Sequence, residues 1–488
     1  MKYVLLVSFI LLMVATLGNH MSRPEVQSEK PILYWVTDSH DARLRNLEKF
    51  EAWLKEKGYP EFEVRIDNAS NNVSKKLMQG VSGVGADIIH LARDEAWFLN
   101  GTGMLEDLGP YAEKHGFTPE KTWERAQPIL VVDGKQVGFP RSVSIQAYYV
   151  NEDLLARHGI ESLPEHWTLE DFERIGKQFV AAANEDTGQP DVFFADGVNN
   201  QGMLRSMGGD DFNETLTLSG LGGPEYTRVL ELVYQWRYVD RILPTQADLD
   251  FAAGSGTTVP RLQLFLREKY ALTIGARYTL VRLREADPTF RIGAQEGPHD
   301  HFRNSPMGTG SIAIYKKSPH KDLAAYFLEY FTSEEHNMHV VEESDGMPPI
   351  PRYVETEAFL RPPDYPEEWD LHRTFEVIMR ETAMPRSISP YILPSTAIRI
   401  ARDFSQGQQS GLYTAEEAAR LTAERINAQI RRNVEDNPAL RRKYETALER
   451  QERIDERRRA GKPVPAEWID SAFWREYYAF RGWLEEEE

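Results

Sequence analysis

Gly85-Ala86-Asp87-Ile88-Ile89-His90-Leu91-Ala92-Arg93-Asp94-Glu95 and Thr273-Ile274-Gly275-Ala276-Arg277-Tyr278 are two short apolar runs that end in polar or aromatic residues. Each reads as a buried strand whose far end carries side chains able to hold a ligand. Open α/β sheets bind ligands in the crevice outside such strand ends. Two ends so far apart in sequence predict a cleft between two lobes.

The surrounding pattern agrees. Residues 31–37 read as a strand, and Leu44, Leu47, Phe50 and Leu54 follow at helical spacing. Phe62, Val64 and Ile66 alternate with charged residues, as in a second strand. This strand–helix alternation predicts a largely parallel sheet with helices on its faces. Asp133-Gly134 predicts a hairpin turn, and residues 134–151 a breakpoint between lobes. Thr168 with Asp171, and Thr414 with Glu417, predict capping boxes at two helix starts.

Composition narrows the function. The 488 residues are 41% hydrophobic and 27% charged, which fits a globular protein of two or three domains. A net charge of −19 argues against nucleic acid as a partner. The absence of cysteine excludes disulfides, Cys-ligated metal centres, thiol catalysis and a lipid-anchoring Cys. Lys2 precedes an apolar run over residues 4–18. That run is too short for the roughly 20 residues of a membrane span, so residues 1–22 are expected to be an export signal, with an uncleaved anchor as the alternative. The expected location is the periplasm or another extracytoplasmic space. His299-Asp300-His301 is read as a solvated turn, so neither a metal nor a cofactor is expected.

Several motifs, taken in order, resemble the extracellular solute-binding proteins of ABC importers, in the branch that includes maltose-binding protein. They are Tyr34-Trp35, Gly85-Ala86-Asp87-Ile88-Ile89 followed by Gly103-Met104-Leu105-Glu106-Asp107-Leu108, and Gly138-Phe139-Pro140 before Tyr149-Val150-Asn151-Glu152-Asp153-Leu154. Pro164-Glu165-His166-Trp167-Thr168, Tyr270-Ala271-Leu272-Thr273-Ile274-Gly275 and Ala324-Ala325-Tyr326-Phe327-Leu328 continue the series. The resemblance covers about residues 31–433. It implies an α/β fold of the periplasmic-binding-protein type II kind, with two lobes joined by a hinge. The expected lobes are 31–143 with 310–350, and 147–306 with 352–433. Residues 437–488 fall outside the pattern and are expected to form a helical extension. Phe473, Trp474 and Tyr477 there either cover an apolar patch on the second lobe or dock a permease or neighbouring subunit.

The resemblance implies capture of a sugar or oligosaccharide and its delivery to ABC permease subunits by a monomer without enzymatic activity. Trp35 would stack on a sugar ring or pack in the first lobe's core. Asp38, Asp94 and Glu95 would accept hydroxyls, although Asp38 and Asp94 are also helix-cap candidates. Ser144 stands where many relatives carry a carboxylate, which weakens the carry-over to maltose-like ligands, and Gln146 is a possible replacement. Asn199, in the polar loop with Asn200 and Gln201, is a second-lobe contact or a surface turn. Arg277 precedes Tyr278, which occupies the position of the family's stacking aromatic. Tyr391 is a further aromatic contact, or packs under the hinge. Another polar solute such as a polyamine, a sensory receptor and a secreted carbohydrate-active enzyme are the rivals. The enzyme needs two opposed carboxylates, and the sequence indicates no such pair.

Overall fold

The computed structural model describes residues 30–68, 72–92, 95–187, 190–253 and 261–485. The expected export segment 1–22 and the site candidate Asp94 lie outside the described residues.

The first lobe begins with β1 (Ile32–Val36), α1 (Asp41–Lys57), β2 (Glu63–Ile66), α2 (Val73–Ser82), β3 (Ile88–Ala92) and α3 (Glu95–Gly101). β1 lies between β2 and β3 and is parallel to both, with Trp35 beside Ile66 and Ile88. α1 starts where the His40 side chain accepts from the Ala42 amide, and it stops at Gly58 in the left-handed conformation. β4 (Val131–Val132) and β5 (Lys135–Gln136) form the hairpin expected at Asp133-Gly134. Both turn residues have positive φ, as a two-residue hairpin turn requires.

β6 (Phe139–Ile145) leaves the first lobe, and β7 (Ala147–Asn151) starts the second after the single residue Gln146. The second lobe continues with α4 (Leu169–Ala183), β8 (Phe193–Ala195), α5 (Asn200–Ser206), β9 (Tyr270–Gly275), α6 (Thr279–Ala286) and β10 (Ile292–Gln295). Its sheet runs β10-β7-β9-β8. Thr168 and Asp171 form the reciprocal capping box of α4. Behind that start, Phe172 and Phe179 bury their rings against Phe194. Each such ring contributes about 1.5–3 kcal/mol through burial.

The chain then recrosses. β11 (Ser305–Ile314) joins the first sheet between β3 and β6, and α7 (Lys321–Tyr330) packs on that sheet. After α8 (Trp369–Glu381), β12 (Ala383–Pro385) pairs in parallel with β11. The sequence-based boundary assigned 352–433 wholly to the second lobe. The pairing of Ala383 with Ser305 instead makes β12 the edge of the first sheet. The chain thus passes between the lobes three times. A shared core of Val143, Ile145, Tyr149, Met307 and Phe375 lies beneath the crossings.

α9 (Pro394–Gln409) and α10 (Ala415–Glu435, capped by Thr414 and Glu417) complete the second lobe. The extension is α11 (Pro438–Arg459) and α12 (Ala472–Arg481). Ile454, Val464, Ile469, Phe473, Tyr477 and Tyr478 form one cluster with Phe302 and Met384. Phe302 lies on the second crossing and Met384 on β12, so the covered patch is the hinge as well as the second lobe. Tyr477 fits because residue 208 is glycine, where a Cβ would collide with the tyrosine hydroxyl. Ile469 and Leu484 flank α12 rather than belonging to it, and Phe480 on the helix is exposed.

Candidate ligand cleft between the lobes

A row of hollows follows the second lobe's edge from the first crossing to the third. One, of about 500 Å³, is lined by Gln146, Asp196, Asn199, Arg261, Tyr278 and Arg282. It opens where β8 and β9 end, as expected for strand termini in an open sheet. Asp196 is buried; its carboxylate accepts from Thr273 Oγ1 at 2.8 Å and from the Ile274 amide at 3.2 Å. Burial pushes this carboxyl up to about 6, although Arg261 and those hydrogen bonds pull it down. Tyr278, 52% exposed, stands just before α6 with its ring available to a ligand.

Asn199 also lines a narrower hollow under the crossings, with Tyr148 and Pro306. Beyond it, Asn200 and Gln201 border a cavity of about 290 Å³ with Asp211, Arg386 and Arg402. Gln201 Nε2 and Arg386 Nε both reach Asp211 Oδ2, at 2.8 and 3.0 Å. Arg386, Ser387 and Ile388 then border the last and largest cavity, about 840 Å³. Trp97, Ile129 and Val131 of the first lobe face it from one side, and Arg442, Arg450 and Arg475 of the extension from another. The first three hollows are thus lined by the second lobe and the crossings, and the last lies between both lobes and the extension. Chemically the row offers planar hydrogen-bonding groups and flat rings, the two kinds of surface that sugar hydroxyls and C–H faces require.

The family model for bacterial extracellular solute-binding proteins matches residues 47–367. The chain belongs to that family. Among solved structures, an ABC substrate-binding protein of Listeria monocytogenes in complex with cycloalternan is similar, at 21% identity and TM-score 0.69 over 82% of this chain and 99% of that one. The maltose/maltodextrin-binding domain of Bdellovibrio bacteriovorus, bound to maltotriose, is 17% identical with TM-score 0.62 over 82% and 100%. A Mycobacterium tuberculosis protein in complex with glycerophosphocholine is 14% identical with TM-score 0.66 over 83% and 100%. At these identities the likeness concerns the two-lobed fold. The family acts outside the cytoplasmic membrane, and the extension lies beyond the matched residues.

In this solute-binding protein the candidate residues separate into three groups. Tyr278 faces the cleft. Asp38 stands just past β1 with its carboxylate 43% exposed, 3.5 Å from Arg43 Nε. It does not cap α1, a role taken by His40. Ser144, on β6 before the crossing, is half-buried and donates to the Gly308 carbonyl at 3.3 Å.

Four candidates need correction. Trp35 is fully buried, its ring edge-on to Phe327 of α7 at 5.1 Å, because β1 turns this side chain toward the helix layer. Glu95 neutralises the buried Lys76 at 2.7 Å, a partner that an ammonium in the lobe's interior requires. Arg277 is 1% exposed and lies beneath the hinge, donating to the carbonyls of Val340, Val341 and Gly346 and stacking on Phe359. Burial lowers its guanidinium to about 9. Tyr391 borders the largest cavity but is 4% exposed, with its ring against Tyr444 of α11, so it presents no open face.

Asn199 lies between these groups. Its Oδ1 caps α5 by accepting from Gly202 N at 2.8 Å, and its Nδ2 donates to Gln146 Oε1. It ties α5 to the first crossing, while Asn200 and Gln201 present their amides to the neighbouring cavity.

The sequence reading missed Asp196, Arg261 and Arg282. Asp196 directly follows the apolar Phe193-Phe194-Ala195 strand, a position that could have been picked out. Arg442, Arg450 and Arg475 carried no comparable signal, because they reach the cavity only through docking of the extension.

Proposed function

We propose that this solute-binding protein captures a sugar or oligosaccharide between its lobes and presents the closed form to an ABC permease. The observation that carries the reading is the succession of hollows along the second lobe and the hinge. The first two share Asn199, the last two share Arg386, and the neighbouring residues Asn199 and Asn200 stand between the two pairs, so the series runs from Tyr278 to the third crossing. Such a groove suits a chain of rings better than a single small ion. Tyr278 stacks on one ring. Asn200, Gln201 and Arg386 pair with hydroxyls in planar geometry. Asp38, Ser144 and Asp94 supply acceptors from the first lobe on closure. The carbohydrate ligands of the Listeria and Bdellovibrio proteins support the same class. A polyamine is disfavoured by the arginines along the walls.

Residues 1–22 direct export in this reading, and the protein works as a monomer that binds without turnover. Closure about three crossings is favoured only by a solute that touches both lobes. The test is small-angle scattering with a panel of oligosaccharides, paired with thermal shift. Compaction and a raised melting temperature are expected with at least one sugar. Neither response to any sugar would overturn the reading.

A further inference from the structure

The cavity against the extension differs electrically from the rest of the molecule. Arg386, Arg442, Lys443, Arg450 and Arg475 line it against only Asp133 and Asp470. The chain as a whole carries a net charge of −19. A basic cavity in an acidic protein is a local arrangement, and low-dielectric walls focus its field on whatever enters.

Three of these cations are engaged. Lys443 pairs with Asp133 of the hairpin, Arg450 with Asp470, and Arg386 with Asp211. Arg442 and Arg475 make no ion pair among the described residues, and both are exposed toward the cavity. Arg450 Nε is buried without a hydrogen-bond partner. The half-buried indole of Trp97 lies on the first-lobe side. The cavity thus combines forked guanidinium donors with an aromatic face, the pair of features that hold a carboxylate and the ring bearing it.

We propose that the solute is an acidic oligosaccharide, of the uronic-acid type, whose carboxylates are held at the extension end of the cleft by Arg442 and Arg475. This rests on the carbohydrate reading above. The extension then has a binding role as well as a packing one: α11 and α12 carry the cationic wall that completes the groove. Arg261, Arg282 and Arg402 extend the same charge along the row.

The test is calorimetric titration of the full-length protein with tetramers of galacturonate, glucuronate and mannuronate, their methyl esters, and maltotetraose. The esters keep ring and shape but remove the charge. At least one uronate tetramer is expected to bind about tenfold or more tighter than its ester, a difference that shrinks with added salt. The double variant Arg442→Gln/Arg475→Gln should erase most of that preference with the melting temperature unchanged. Esters or maltotetraose binding as well as the acids would overturn this inference and leave the carbohydrate reading standing. Acid preference untouched by the double variant would overturn the role of the extension. Binding of no carbohydrate at all would remove the reading on which both rest.

Discussion

Arg458 of α11 donates to the buried carboxylate of Glu214 at 2.9 Å, joining the extension to a loop of the second lobe. Gln451 Nε2 and the Tyr478 hydroxyl reach the same carboxylate, and the Glu214 carbonyl accepts from the amides of Asp470 and Ser471. Close by, the fully buried Arg205–Asp210 pair touches both the hinge and the extension, through the Pro385 carbonyl and the Phe473 ring. The extension is therefore part of the core structure.

Glu214→Ala should leave buried donors unpaired at a cost of roughly 1–3 kcal/mol for each. Deleting residues 437–488 should cost more, because Phe302 and Met384 lose their apolar cover. Thermal melting should show a clear drop for the substitution and a drop of about 10 °C or more for the deletion. An unchanged melting temperature for the deletion would mean that the extension does not pack on the hinge in solution.

Adjacent residues should behave oppositely. Arg277→Met orphans three carbonyls beneath the hinge and should cost roughly 3 kcal/mol or more in a denaturant titration. Tyr278→Ala removes an exposed ring. It should leave stability within about 0.5 kcal/mol and weaken ligand binding by roughly tenfold. A destabilised Tyr278→Ala protein with intact binding would reverse the assignment of the two.

Asp196 predicts a pH effect. Its carboxyl is raised to about 6 in the folded protein against an ordinary value of 3.8. Between those values the folded state binds more protons than the unfolded one, so stability falls as pH rises through that window. At neutral pH the cost amounts to up to about 3 kcal/mol. Asp196→Asn keeps the shape and removes the titration, so the stability difference between variant and wild type should grow in the variant's favour from pH 4 to 7. Equal pH slopes in chemical denaturation would show that Asp196 is not held in a desolvated site.

The local features of this fold could be read from neighbouring residues. Thr168 and Asp171 announced a helix start, Asp133-Gly134 a hairpin, and the apolar runs at Ile88 and Thr273 their strands. Such signals depend on residues a few positions apart, and the order of motifs then fixed the family. The site was legible in part. Tyr278 follows a strand end and stays open, whereas Trp35 looked equivalent and is covered by Phe327 from a distant helix. Arg277 was indistinguishable from a ligand contact until the carbonyls of Val340, Val341 and Gly346 closed on it. Exposure depends on which remote segment arrives to bury a side chain, and no local pattern records that. For the same reason the basic wall at the cleft's end, built from helices that follow both lobes in sequence, became visible only once the chain had folded back on its own hinge.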